Sequence, residues 1–177
     1  MDFKAEYDLI ERAKKNPEHF ETLYNAHFKT VFLFVLKRVG DKNDTADITS
    51  QVFLKALSNL KRFKHLGAPF SSWLLKIAHN ETLYYFRKTA KQRAVMISKD
   101  DITNVKEEEG FDLENLYGKL SMALQELRTE ALQLIELRFF EQRPFKEIAV
   151  ILGITENNAK VKTYRAIDQL RKLVNHG

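Results

Sequence analysis

The stretch from Phe145 to Leu173, FKEIAVILGITENNAKVKTYRAIDQLRKL, admits few folds. Ile148, Ala149 and Leu152 recur at helical spacing, which sets an apolar stripe on one side of a short helix. Gly153 follows, where a chain leaving a helix turns through the left-handed region. Thr155 is placed to cap a second helix, its hydroxyl accepting from the N–H of Asn157 or Asn158. On that helix Ala159, Thr163, Ala166, Leu170 and Leu173 share one side at about 100° per residue. The small residues among them permit close approach. The opposite side carries Asn157, Lys160, Val161, Tyr164, Arg165 and Asp168. A short helix, the turn Gly153-Ile154-Thr155 and a longer basic helix follow the order of a helix-turn-helix, which lays its second helix in the major groove of duplex DNA. Asn, Lys and Arg read base edges or clamp phosphates, and Val161 suits a thymine methyl. An ordinary amphipathic hairpin with a solvated charged face has the same periodicity, so this segment indicates duplex binding without requiring it.

The rest of the chain favours an all-α fold. Its 177 residues suit one or two domains, and a hydrophobic content of 44% is enough for a core. Gly (6) and Pro (3) are scarce, and long amphipathic stretches dominate. The absence of cysteine excludes disulfides, thiolate metal sites and a Cys nucleophile, and fits a reducing cytoplasm. The N-terminus MDFKAEYDLIERAKK is charged and amphipathic, unlike a signal peptide. The longest apolar run, Val31 to Leu36, is far too short to span a bilayer, so no membrane insertion is expected.

The net charge of +5 is unevenly distributed. Residues 1–97 carry +7, residues 98–114 carry −5, and residues 115–177 carry +3. The acidic stretch SKDDITNVKEEEGFDLE lacks the apolar periodicity to pack and reads as a linker. The expected organisation is a helical domain over 1–95, an acidic flexible linker over 96–118 and a helix-turn-helix domain over 119–177.

In the first domain a helix is expected from Phe3 to Lys15. Asn16-Pro17 then restarts the chain, since Asn caps and Pro is welcome at the first helical position. The next helix runs to Val39, with Phe20, Leu23, Tyr24, Phe28, Val31, Phe32 and Val35 as its inner stripe, and Gly40 ends it. Asp41, Asp44 and Asp47 lead into a further helix with Ile48, Val52, Leu54, Ala56 and Leu57 expected buried. Three Asp at spacing three raise the question of a metal, but no His or Glu completes a shell. Acidic residues at a helix N-terminus are favoured by its dipole, so the capping role is preferred.

The segment from Lys61 to Arg93 holds eight Lys or Arg against one acid, Glu81, interleaved with Phe63, Phe70, Trp73, Tyr84, Tyr85 and Phe86. It begins as a loop and becomes a helix at Ser71 or Ser72. Positive charge tracks a phosphate backbone and aromatic rings stack on unpaired bases, so the loop suits single-stranded DNA. Trp73 and Ile77 are expected in the core. For Phe63, His65 and Phe70 the core and DNA roles stay open.

Both halves together resemble the extracytoplasmic-function (ECF) group of the sigma-seventy family of RNA polymerase sigma factors. The resemblance covers nearly the whole chain. Asp47, Phe53, Lys55, Ala56, Ser72, Trp73, Leu74, Ile77, Ala78 and Asn80 match the family's region two pattern. Leu137-Arg138-Phe139-Phe140-Glu141, Glu147-Ile148-Ala149 and Leu152-Gly153-Ile154 match region four. Departures fall at Ser50-Gln51, Leu57, Asn157-Asn158-Ala159 and Val161-Lys162. The resemblance implies a binding role without catalytic residues, metal, cofactor or small-molecule substrate. Core polymerase would be met by Asp47, Ser50, Gln51 and Phe53. Unpaired minus-ten DNA would be held by Lys61, Arg62, Phe63, Lys64, His65, Phe70, Lys76, Asn80 and Arg87. The minus-thirty-five duplex would be read by Asn157, Asn158, Lys160, Val161, Lys162, Tyr164 and Arg165. An anti-sigma factor is a further expected partner.

Three other readings compete. A free-standing regulator would dimerise on a palindrome, for which the basic aromatic segment has no use. A nucleic-acid-processing enzyme would need an acid/base or metal constellation. A protein-binding adaptor on the same fold would have lost its base-reading residues.

Overall fold

A computed structural model describes residues 3–65, 67–89 and 113–176, which form eight α-helices and no strand. They are α1 (Phe3–Lys15), α2 (Phe20–Val39), α3 (Lys42–Asn59), α4 (Phe70–Thr89), α5 (Leu113–Glu126), α6 (Thr129–Ile135), α7 (Phe145–Leu152) and α8 (Glu156–His176). They form two compact units, α1–α4 in the first and the helices from α5 onward in the second, with the four residues Val150–Gly153 grouped with the first.

In the first unit α2, α3 and α4 pack pairwise, and α1 leans on α2 and on the short 3₁₀ turn Leu60–Arg62. Local chemistry sets the boundaries. Asn16 caps the 3₁₀ turn at Pro17, its side chain accepting from the Glu18 N–H. Gly40 closes α2 at φ 81°, and its N–H donates to the Leu36 carbonyl. Asp41 caps α3 by accepting from the Asp44 N–H at 2.8 Å, while Asp44 accepts from the Tyr85 hydroxyl at 2.5 Å. These two carboxylates thus serve the helix start and the α3–α4 packing. Helix α4 starts at Phe70, before the expected Ser71 or Ser72, and Ser72 is buried.

The inner faces of α2 and α3 differ from expectation. On α2 the buried positions are Phe20, Leu23, Val31, Phe34, Val35 and Arg38, whereas Tyr24 and Phe28 are exposed. On α3 Leu54 and Leu57 are also exposed, and Phe53 is buried instead. The reason is geometric. Ile48, Val52 and Ala56 define the inward line at i, i+4 and i+8, and Phe53 is the neighbour that turns toward α2. Its ring meets Tyr24 at 4.6 Å, Phe20 at 6.4 Å and Phe28 at 6.4 Å between centroids.

A half-buried polar cluster joins α1, α2 and α4. Glu6 accepts from the Phe70 N–H at 3.3 Å and lies 3.1 Å from His27 Nε2. The hydrogen bond from His27 lowers the Glu6 carboxyl below its ordinary 4.5, with burial opposing and the Phe70 N–H assisting. A depressed carboxylate gives stability that is complete above its unfolded value and is lost as pH falls through its folded value. The first unit is therefore expected to weaken as pH drops below 4.5, with this component gone once Glu6 is protonated in the fold. Glu6→Gln removes that component of the acid limb and costs about 1 kcal/mol at neutral pH. Urea titrations at pH 7 and pH 3, followed by the fluorescence of the sole tryptophan, Trp73, test this. The same pH dependence in both proteins would remove Glu6 from the account.

The second unit gathers Leu124, Leu127, Leu132, Ile135 and Ala166, with Leu120, Ala131, Phe140, Leu170 and Leu173 against them. Helix α5 starts at Leu113, inside the stretch 96–118 expected as linker. The remainder of that stretch up to residue 112, with Lys91 and Arg93, lies outside the described residues. A π-helical turn, Glu136–Phe140, and Gln142 at φ 52° carry the chain toward α7. Arg138 sits 4.8 Å from the Phe145 ring centre and donates to the Arg143 carbonyl, while Arg143 pairs with Glu147 at 2.9 Å.

Candidate nucleic-acid interface

The turn between α7 and α8 has the expected chemistry. Gly153 stands at φ 69°, and the Ile154 N–H donates back to the Ala149 carbonyl at 3.0 Å, which closes α7 as a Schellman cap. Thr155 Oγ1 then accepts from the Asn158 N–H at 3.2 Å and opens α8. Ala159, Thr163 and Ala166 are buried, and the Thr163 hydroxyl donates to the Ala159 carbonyl at 2.7 Å. Asn157, Asn158, Lys160, Val161, Tyr164 and Arg165 are exposed. Tyr164 is 57% exposed and Val161 39%, a large apolar surface for a helix whose other side is covered. Lys162 differs from its neighbours. It is half-buried on the flank and ion-paired with Glu130, whereas Lys160 is exposed.

The first unit carries a groove of about 530 Å³ between α3, the Leu60–Arg62 turn and α4. Lys55 and Asn59 come from α3, Arg62, Phe63 and Lys64 from the chain after it, and Trp73, Lys76, Ile77, Asn80 and Glu81 from α4. Four cations face one carboxylate, and that carboxylate is paired: Lys55 Nζ lies 2.6 Å from Glu81 Oε1. The single acid of the basic segment is thus neutralised where it would repel a phosphate. An aromatic wall stands beside the cations, with Phe63 and Trp73 at 5.1 Å between centroids.

Of the residues expected to hold unpaired DNA, the groove gathers Arg62, Phe63, Lys64, Lys76 and Asn80. It does not gather Lys61, His65, Phe70 or Arg87. Phe70 is a correction. At 1% exposure it is a core residue, packed on Phe63, Trp73 and His27. Phe63 lines the groove but is only 7% exposed. Trp73 and Ile77, expected in the core, are half-buried and line the groove. Tyr84, one of the interleaved aromatic residues, is 53% exposed and shares the α4 stripe of Asn80 and Arg87 at i, i+4 and i+7. Lys55 and Asn59, one helical turn apart, were the available signal for the α3 side.

A third surface is the outer face of α3. Asp47, Ser50, Gln51 and Leu54 are exposed at i, i+3, i+4 and i+7, and Leu54 is 64% exposed. Phe53 does not belong to this face. At 4% exposure it supports α3 from within and offers no ring to a partner.

An all-α chain with a helix-turn-helix at α7 and α8 and a cationic, aromatic-walled groove between α3 and α4 has the surfaces of a helical DNA-binding protein. Residues 23–92 match Sigma-70 region 2, and residues 117–170 match Sigma-70, region 4. The chain is 30% identical to the ECF RNA polymerase sigma factor BldN of Streptomyces coelicolor, over 94% of this chain and 65% of that protein. It is 27% identical to the ECF RNA polymerase sigma factor SigX of Bacillus subtilis, over 88% of this chain and 83% of that one. Its fold is similar to that of CnrH in complex with the cytosolic domain of CnrY, with a TM-score of 0.63 and 21% identity over 97% and 98% of the two chains. It is also similar to the sigma factor RpoE in complex with the anti-sigma factor NepR from Bartonella quintana, with a TM-score of 0.60 and 19% identity over 88% and 96%. The chain belongs to the sigma-70 family of RNA polymerase sigma factors, within its ECF group. Members of this family are initiation factors rather than classical enzymes. Among the described residues no helix is long and apolar enough to cross a membrane, and no cluster of His, Cys, Asp or Glu is arranged to hold a metal ion.

Proposed function

We propose that this chain directs promoter-specific transcription initiation as the specificity subunit of RNA polymerase. It binds core polymerase through the α3 face of Asp47, Ser50, Gln51 and Leu54. It reads the minus-thirty-five duplex with Asn157, Asn158, Lys160, Val161, Tyr164 and Arg165. The groove holds the unpaired minus-ten strand, with Trp73 as the stacking ring and Arg62, Lys64 and Lys76 on its phosphates. The chain does no covalent chemistry and acts in the cytoplasm, where polymerase is. An anti-sigma factor is a fitting regulator, since CnrH and RpoE were each solved with a bound protein partner.

One observation carries this reading: a single chain presents two DNA-type surfaces of different chemistry. The α8 face, rich in side chains that read base edges, suits a duplex. The groove, cationic with an indole wall, suits a single strand. Initiation needs both, because a promoter is recognised as duplex and then opened.

Reconstitution with core polymerase on genomic promoter fragments tests the whole. Failure to bind core, or to start transcripts anywhere, would overturn it. Within that assay Trp73→Ala combined with Lys76→Ala is expected to slow promoter opening about ten-fold or more, at about 1–3 kcal/mol per stacked base. Binding of a minus-thirty-five duplex should be unchanged. Equal losses in both would make the groove a structural feature.

A further inference from the structure

Helix α1 lies outside the residues matched to region 2, which begin at 23. Yet it reaches the chain between α3 and α4 at three points. Lys14 Nζ donates to the Phe63 carbonyl at 3.0 Å. The Tyr7 ring meets His65 edge-on, with 6.3 Å between centroids. Glu6 accepts from the Phe70 N–H at 3.3 Å, at the first residue of α4. Below them Leu9, Ile10 and Ala13 are buried, so α1 is seated by its own apolar side.

We propose that α1 is a brace that presets the groove, with Lys14 and Glu6 as positioning residues for Arg62 and Lys64. This rests on the reading of the groove as the single-strand site. The reasoning is one of conformational entropy. Arg62 and Lys64 flank Phe63, the point at which Lys14 grips the backbone, and both line the groove. From the α3 side this backbone is held by the 3₁₀ turn, whose Phe63 N–H donates to the Leu60 carbonyl at 3.0 Å. Without α1 these residues would have to be ordered when the strand binds, and that ordering weakens binding. With α1 the ordering is done on folding.

Neither positioning residue faces DNA. Glu6 is turned to His27 and the start of α4, and Lys14 is held between Glu11 at 2.7 Å and the Phe63 carbonyl. Their effect is therefore on the shape of the site and not on its charge.

The test uses the full chain with core polymerase. Lys14→Met keeps the aliphatic stem and removes the donor. Lys14→Met with Glu6→Gln weakens both ends. Amide exchange of peptides covering residues 60–70 reads the brace directly. Promoter opening, followed by a fluorescent base in the minus-ten element, reads its consequence. Core affinity is measured alongside. The expected result is faster exchange in 60–70, opening slowed about ten-fold in the double variant and less in Lys14→Met alone, and core affinity unchanged. A fall in core affinity parallel to the loss of opening would show only a weakened fold and overturn the proposal. Unchanged exchange would overturn it as well. Arg62→Ala with Lys64→Ala is the companion. If that pair slows opening and the brace variants do not, the brace is wrong and the groove stands. If neither slows opening, both are wrong.

Discussion

Replacing Lys160 and Arg165 together by alanine is expected to weaken binding to a minus-thirty-five duplex about a hundred-fold. Each interaction with a base edge or phosphate is worth about 1–3 kcal/mol, so losing two costs about 2–6 kcal/mol, and a hundred-fold loss, about 2.8 kcal/mol, lies toward the lower end. Both residues are exposed on α8, opposite its buried line of Ala159, Thr163 and Ala166, so removing them leaves the helix seated. Core polymerase affinity should not change. The salt dependence gives a second readout: the slope of log K against log salt should fall by about one for each phosphate that is no longer neutralised. Lys162→Ala should have a smaller effect, because that side chain is already paired with Glu130. Fluorescence anisotropy of the polymerase complex on a labelled duplex, over a series of salt concentrations, is the measurement. Loss of core binding, or no loss of duplex binding, would remove these residues from the reading face.

Phe70→Ala is expected to destabilise the first unit by about 3–5 kcal/mol, the range for emptying a large aromatic site in a core. The ring is 1% exposed and meets Phe63 at 5.2 Å, Trp73 at 5.3 Å and His27 at 5.5 Å between centroids. Its removal also leaves the aromatic wall of the groove without backing. Denaturant unfolding followed by Trp73 fluorescence measures the loss. A protein with an unchanged midpoint that fails to open promoters would instead place Phe70 on the DNA.

The contrast between these two substitutions shows what was legible in the sequence. On α8 the chemistry and the period coincide. Small or apolar residues fall on one side and polar or charged ones mostly on the other, so which side is covered and which is exposed was identifiable from spacing alone. Gly153 and Thr155 fixed the turn for the same reason, since each has one local geometric use. Between α3 and α4 composition was not enough. Phe63, Phe70 and Trp73 are alike in type, and whether a ring is covered or lines a groove depends on which helix packs over it. That information sits in long-range packing, and periodicity does not carry it. The same limit explains Phe53 and Leu54, adjacent residues that exchanged their expected roles: one turns under α2 and the other outward. The capping role of Asp41 was readable because caps act within three residues. The tie from Lys14 to the Phe63 carbonyl spans 49 residues and had no local signal.

The partition of α8 has an evolutionary consequence. Its buried line is built from Ala159, Thr163 and Ala166, which set the depth of helix packing, while the residues proposed to read the duplex are exposed. Substitutions at 157, 160, 161, 164 and 165 therefore escape the stability constraint that governs the rest of the unit. On the proposed reading of this face, promoter preference is free to drift at these positions while the scaffold is held by selection. A lineage carrying this chain could redirect it to new genes by exchanging a handful of surface side chains, and paralogues would diverge there first.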